Sequence, residues 1–314
     1  MRLCFIVEEK YRHESMPLAV AYQLRRWGHD VDLLEPHATV TRLFDLVTQS
    51  YDAYVLKTAS DGPGLSILEA AEAAGIPTIN NARSIRLVRD KAVAMAVARA
   101  HDLPIPPTYF VAHPRLLTQI PPEDYPLVVK PSNGSACRDI YRVNHPADLA
   151  TLALADDPHS FLLAQRYVDN PGFDIKLYVT GTQVYAVVKK SPLHPDENVT
   201  EGLMPVTPEL RTLALNVGAF FGLDIYGVDV VETPAGWVGV DINDFPGFGL
   251  VPGAVVRIAQ FILHVAQRAE MQRAVPTPRT PRRPDPTGAA RAWLTDAQMV
   301  QTSEPPGLPR KRPT

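Results

Sequence analysis

Hydrophobic positions in the first part of the chain alternate between two periods. Four short β-type runs, LCFIV (3–7), DVDLLEP (30–36), DAYVLK (52–57) and IPTIN (76–80), are separated by stretches such as PLAVAYQLRRWG (17–28), whose apolar residues recur at i, i+3 and i+4. Strands alternating with helices predict a βαβ layer with a parallel sheet over residues 1–80. Charged residues at the strand ends, Glu8, Glu9, Lys10, Arg12 and Lys57, then face the crevice at the carboxyl edge, where open α/β sheets bind ligands. Ordinary surface charge would look the same at this level.

Beyond residue 80 the pattern changes. Asn81 to His101 reads as one helix, opened by polar residues, carrying Lys91 and ended before Leu103-Pro104-Ile105-Pro106-Pro107. From there short strands follow one another. LVV delivers Lys130, the small residues Pro131 to Ser135 turn the chain, and RDIYRV (138–143) returns. Small residues let backbone N–H groups approach an anion, with the lysine beside it, although the spacing is neither that of a P-loop nor G-x-G-x-x-G. FLLAQRYV (161–168) ends at Asp169-Asn170-Pro171-Gly172, and DIKLYVTG and QVYAVVKKS form a hairpin around Thr180-Gly181-Thr182. Asp174 and Lys176 share one strand face; Lys189 and Lys190 end the next strand. Thr207 to Gly222 is a helix with Pro208 and Glu209 just inside its start, and Ala254 to Gln272 is the last one.

Between those helices GVDVVE and WVGVDIN form a second hairpin, with turn chemistry at Thr233-Pro234-Ala235-Gly236. Alternation puts Asp241 and Asn243 on one face. Asp229 joins them if the loop holds an odd number of residues, for example Thr233 to Trp237. Two carboxylates and an amide oxygen make a hard oxygen site suited to Mg; a wet sheet face would carry the same residues.

Composition narrows the alternatives. The chain has 314 residues, 46% of them hydrophobic, and a formal net charge of −3, so nothing global draws it to nucleic acid or an anionic membrane. Its two cysteines, Cys4 and Cys137, are too few and too scattered for a disulfide framework or thiolate metal site, which suits a reducing cytoplasm. The first residues read as a strand rather than a signal peptide, and no apolar stretch approaches the length of a membrane span. The last 40 residues hold nine of the 31 prolines and end in PPGLPRKRPT, the composition of a disordered basic tail with room for one short helix near 289–300.

The ordered set of parts resembles the ATP-grasp superfamily over roughly residues 1–270. It comprises a lysine on a helix, a lysine before a small-residue loop, the strand end Gln165 to Val168, Asp174 and Lys176, then Asp229 and Asp241-x-Asn243. RimK-type glutamate ligases are similar at Arg89-Asp90-Lys91, at Lys130 to Gly134 and at Asp174-Ile175-Lys176; inositol trisphosphate kinases are similar at Asp241 to Phe248, Pro252-Gly253, Val188 to Ser191 and Lys57. The resemblance implies an α/β (α+β) ATP-grasp fold: an N-terminal domain over 1–80 and an ATP-grasp domain over 81–272. The latter consists of subdomains near 105–168 and 169–272 that clasp ATP, and the tail is 273–314. It implies ATP contacts from Lys91, Lys130, Ser135, Gln165, Tyr167, Val168 and Asp174, with Mg on Asp229, Asp241 and Asn243. Lys176 and Lys190 would be catalytic at the γ-phosphate, and an anionic small-molecule or peptide acceptor would lie near Lys10, Arg12, Lys57, Lys189 and Gly247. Two chemistries follow, amide ligation through an acyl phosphate or phosphoryl transfer to a hydroxyl, with a non-catalytic ATP-binding module as a third. Ligation leads because most of the superfamily ligates, while Asp241, where ligases more often have glutamate, leans toward the kinases.

Overall fold

The computed structural model describes all residues except 14, 49–50, 58–61, 133–138, 153–160 and 275–314. The chain separates into Met1–Met271 and Gln272–Thr314; of the second unit only the end of the last helix is described, and the helix expected near 289–300 lies outside the described residues.

The first layer follows the alternation in the sequence. Strands β1 (Arg2–Val7), β2 (Asp30–Leu34), β3 (Ala53–Lys57) and β4 (Thr78–Ile79) are interleaved with helices α1 (Ser15–Arg26), α2 (Leu43–Thr48) and α3 (Gly64–Ala73). They pair in parallel in the order β2-β1-β3-β4. β1 and β3 are buried on both faces, which is why they read as unbroken apolar runs rather than alternating ones. Cys4 lies inside β1, where burial pushes its thiol pKa up to about 12, far from a reactive or metal-ligating thiolate.

The region expected to be one helix is two. Helix α4 (Ala82–Arg89) stops at Asp90, whose backbone is extended (φ −82°, ψ 97°), and α5 (Lys91–Ala100) starts at the next residue. The reason is capping. The Asp90 carboxylate accepts the N–H groups of Ala92 at 3.0 Å and Val93 at 3.2 Å, so the acid serves the second helix better than it could serve the interior of one long helix.

Strands β5 (Thr108–Val111), β6 (Leu127–Pro131), β7 (Tyr141–Val143) and β8 (Leu162–Arg166) form an antiparallel sheet in the order β5-β8-β6-β7. A five-stranded antiparallel sheet follows: β9 (Phe173–Thr180), β10 (Gln183–Lys190), β11 (Gly202–Met204), β12 (Ile225–Thr233) and β13 (Gly236–Asp244), in the order β11-β10-β9-β12-β13. Helix α6 (Pro208–Phe221) joins β11 to β12, capped by the Thr207 hydroxyl at Leu210 N and closed by Gly222 in the left-handed region (φ 69°). Helix α7 (Ala254–Ala274) ends the described chain.

One face of the five-stranded sheet, with Ile175, Leu177 and Val179, packs on α5 and α6. The other joins Tyr178, Val187 and Ile225 to α7 and to Leu3, Phe5 and Val55 of the parallel sheet in a single core. The four-stranded sheet has a separate core built on Val111, Leu127, Val129 and Ala164. Asn80, 1% exposed, stitches β4 to β12: its Nδ2 donates to Ile225 O at 2.7 Å, and its Oδ1 accepts Asp224 N at 2.7 Å and Ile225 N at 2.8 Å. Among the described residues no helix is long and apolar enough to cross a membrane.

Candidate active site

The acidic hairpin reaches its geometry by a different route from the odd-length loop. Pairing of Glu232 with Trp237 and Thr233 with Gly236 leaves only Pro234 and Ala235 in the turn, and Val230 pairs with Gly239. A regular ladder would then set Asp229 opposite Val240 and turn Asp241 to the other face. A β-bulge at Val240 absorbs one residue, so Asp229 lies opposite Asp241 and Gly227 opposite Asn243. The extra residue also contributes: the Val240 carbonyl accepts a hydrogen bond from Lys130 Nζ at 2.9 Å.

β9 extends the same row, because Asp229 also lies opposite Lys176. Lys176, Asp229 and Asp241 therefore stand side by side across three strands. Lys176 Nζ is 3.0 Å from Asp229 Oδ1 and 3.3 Å from Oδ2. The nearer contact lacks hydrogen-bond geometry, so buried Oδ1 keeps unused lone pairs. Asn243 Nδ2 lies 3.5 Å from Asp229 Oδ2, which closes the trio. Lys91, the first residue of α5, ion-pairs with Asp241, and its backbone N–H reaches Ser132 O at the end of β6. Burial alone would raise the Asp241 pKa, but Lys91, Lys130 and Lys176 together hold it below the ordinary carboxylate range. Burial likewise opposes the charge on Lys176, and Asp229 outweighs it, so that lysine titrates above its usual value.

These groups line an open cleft between the two antiparallel sheets, together with Gln165, Tyr167, Val168, Asn170, Asp174 and Ser191. Gln165 is 2% exposed and its amide donates to the Thr108 hydroxyl at 3.1 Å. Burial pushes the Asp174 carboxyl above its ordinary value, against the hydrogen bond from the Ser191 hydroxyl. The wall around Tyr167 was not legible in the sequence. Its ring carries the Arg142 guanidinium at 3.9 Å, and its hydroxyl meets His194 Nε2 at 2.9 Å and Asn170 Nδ2 at 3.2 Å. Arg142 and His194 sit on strand and loop segments with no motif around them, so no local signal marks either residue.

The other candidates lie apart from this row. Lys190 is exposed and opposite Phe173, which the register places on the face away from Lys176. Lys189 pairs with Glu201 at 2.6 Å. Lys57 is buried at the end of β3 with its ammonium 4.9 Å from the Tyr11 ring, Lys10 lies 5.5 Å from the same ring, and Arg12 reaches Glu35 at 3.2 Å. Gly247 is exposed in the loop after β13, where Phe245, Phe248 and Leu250 hold left-handed backbones (φ 39°, 53° and 66°). Ser135 lies outside the described residues. Sequence reasoning missed the buried ion pair of Arg89 with Asp244, one residue beyond Asn243.

A RimK-like ATP-grasp domain matches residues 88–263, which takes in α5, both antiparallel sheets and the acidic hairpin. The chain belongs to the RimK-like ATP-grasp family. Similar sequences include a "Probable alpha-L-glutamate ligase" of Haemophilus ducreyi, 29% identical, with 68% of this chain and 74% of the relative covered. Another of that name, from Aeromonas salmonicida, is 25% identical over 81% of this chain and 92% of its own. The fold is shared with the RimK domain ATP-grasp protein of Sphaerobacter thermophilus (TM-score 0.67, 18% identity, 84% of this chain and 99% of the other). It is shared too with D-alanine–D-alanine ligase of Bacillus anthracis (TM-score 0.63, 15% identity, 87% and 99%). The protein is thus an ATP-grasp ligase, a class that uses ATP.

Proposed function

We propose that this ATP-grasp ligase joins a substrate carboxylate to an amine, with ATP, through an acyl phosphate. The observation that carries it is the row Lys176, Asp229 and Asp241, flanked by Asn243, on the cleft face opposite Lys91 and Lys130. Two carboxylates, an amide oxygen and a buried Asp229 Oδ1 without a hydrogen bond fit a hard divalent ion such as Mg. When bound there, the ion would neutralise phosphate oxygens and fix the triphosphate's orientation.

The chain's own groups do the rest. Lys91 and Lys130 take phosphate oxygens, Gln165, Tyr167 and Val168 face the adenine and Asp174 the ribose. Lys176 holds positive charge where the γ-phosphoryl group transfers. A carboxylate oxygen attacks the γ-phosphorus as the bond to the β-phosphate oxygen breaks, giving ADP and the acyl phosphate. The amine attacks the acyl carbon, phosphate leaves, and the nitrogen's proton passes to solvent. Lys57, Lys10 and Arg12, at the carboxyl edge of the parallel sheet, favour an anionic substrate on that side. The relatives' name suggests L-glutamate as the amine.

Purified protein given ATP, Mg and L-glutamate with a panel of carboxylate acceptors, peptides included, is expected to release phosphate only when amine and carboxylate are both present. Asp241→Asn should lower that rate on the order of a hundredfold with an unchanged circular dichroism spectrum. Phosphate retained on an alcohol product would show a kinase, and nucleotide binding without turnover on any acceptor would leave a binding module.

A further inference from the structure

The wall around Tyr167 is a set of directed hydrogen bonds that the ligase chemistry leaves unused. Asn170 sets the direction. The Gly172 N–H can only donate, so it takes Asn170 Oδ1 at 2.9 Å. Asn170 Nδ2 is then the donor, to the Val168 carbonyl at 2.9 Å and to the Tyr167 hydroxyl at 3.2 Å. With one lone pair of that hydroxyl occupied, its proton is available to His194 Nε2, 2.9 Å away. The Arg142 guanidinium covers the ring at 3.9 Å and donates from Nε to Asn144 Oδ1 at 3.0 Å.

These partners come from both sides of the cleft. Tyr167 and Val168 follow β8 of the four-stranded sheet, and His194 lies in the loop after β10 of the five-stranded one. Ser191 and Leu193 of that loop line the cleft, as Val168 does. Gly172 leaves the loop room to approach, since a Cβ there would stand 2.9 Å from Glu197 Cγ and 3.6 Å from His194 Cγ. Lys91 and Lys130, by contrast, are held from β13, by Asp241 and the Val240 carbonyl.

We propose that His194 and Asn170 are positioning residues for the nucleotide. Acting through Tyr167, they hold the Tyr167–Val168 main chain at the base end of the cleft, so that removing them costs affinity for the base and not for the phosphates. This role rests on the reading of the cleft as the nucleotide site and names what keeps its adenine end in shape.

Calorimetric titration of the full chain in the presence of Mg, with two ligands, tests it. One is a non-hydrolysable ATP analogue; the other is inorganic triphosphate, which has neither base nor ribose. His194→Leu should weaken the analogue about fivefold, the share of one hydrogen bond, and leave inorganic triphosphate unchanged. Tyr167→Phe deletes the other end of the same bond, so Tyr167→Phe/His194→Leu should bind the analogue no more weakly than Tyr167→Phe alone. That comparison uses the analogue only and stands however weakly the triphosphate binds. Equal losses for both ligands would mean a general loosening of the cleft. Unchanged analogue binding, or additive losses in the double variant, would mean that Tyr167 stands without His194. Each of these overturns the positioning role while leaving the ligase reading intact, whereas wild-type protein that binds neither ligand would overturn both.

Discussion

Arg89 and Lys91 are separated by one residue, yet they serve acids on different parts of β13: Arg89 pairs with Asp244, and Lys91 with Asp241. The break at Asp90 makes this possible by ending one helix and starting the next between them. Lys91 could be singled out from the order of parts in the sequence, because a lysine in that place is characteristic of the family it resembles. Arg89's partner lies 155 positions away, and nothing local to either residue announces the pair. Asp224 shows burial acting alone on an acid. Its carboxyl is held above the ordinary value of 3.8 by burial, with no compensating cation. A native state that binds a proton more tightly than the unfolded chain loses stability as pH rises from the ordinary value through the raised pKa, and above it the penalty is present in full. Asp224→Asn is expected to melt higher than wild type at pH 7, and the gap should close as pH falls toward 4. Thermal melts of both proteins across that window check it, and a gap independent of pH would refute the electrostatic account.

At the scale of elements, periodicity carried far. The alternating strands of the parallel layer, the helix capped by Thr207 and closed by Gly222, and both hairpins were legible because each is specified by residues near one another. Two features were not. The single helix expected from Asn81 to His101 is broken by a capping acid that could equally have stood on a helix surface. The second is the parity of the acidic hairpin: the sequence required an odd residue between Asp229 and Asp241 and could not say whether turn or strand supplied it. Val240 supplies it from the strand, where the cleft and Lys130 hold the bulge. Gly222 offers a test of a helix end under load. Its φ is 69°, and a Cβ there would lie 2.9 Å from the Ser84 hydroxyl, which itself donates to Gly222 O. Gly75, at φ 78°, has nothing within 4 Å of the same position. Both alanine variants incur the left-handed cost of about 1–2 kcal/mol, and only Gly222→Ala must also displace Ser84. Its melting temperature should therefore fall further than that of Gly75→Ala; equal losses would mean that the α4–α6 contact yields freely.

Across the whole molecule, the sheets are joined by long-range contacts that no window of sequence contains. Asn80 is the clearest, standing in for a strand partner to the backbone of Asp224 and Ile225. Asn80→Ala leaves one carbonyl and two N–H groups without their partner in a buried place, and the expected loss is on the order of 3 kcal/mol or more, read as a lower urea midpoint. A loss under about 1 kcal/mol would show that the two sheets are joined by their shared core alone. That shared core sets the mechanics of the protein. The parallel layer, α7 and the floor bearing Lys176, Asp229 and Asp241 are fused by one set of apolar side chains, whereas the sheet bearing Lys130 and Gln165 encloses its own. The cleft thus lies between one wall that shares its apolar core with the parallel layer and another that keeps a core to itself.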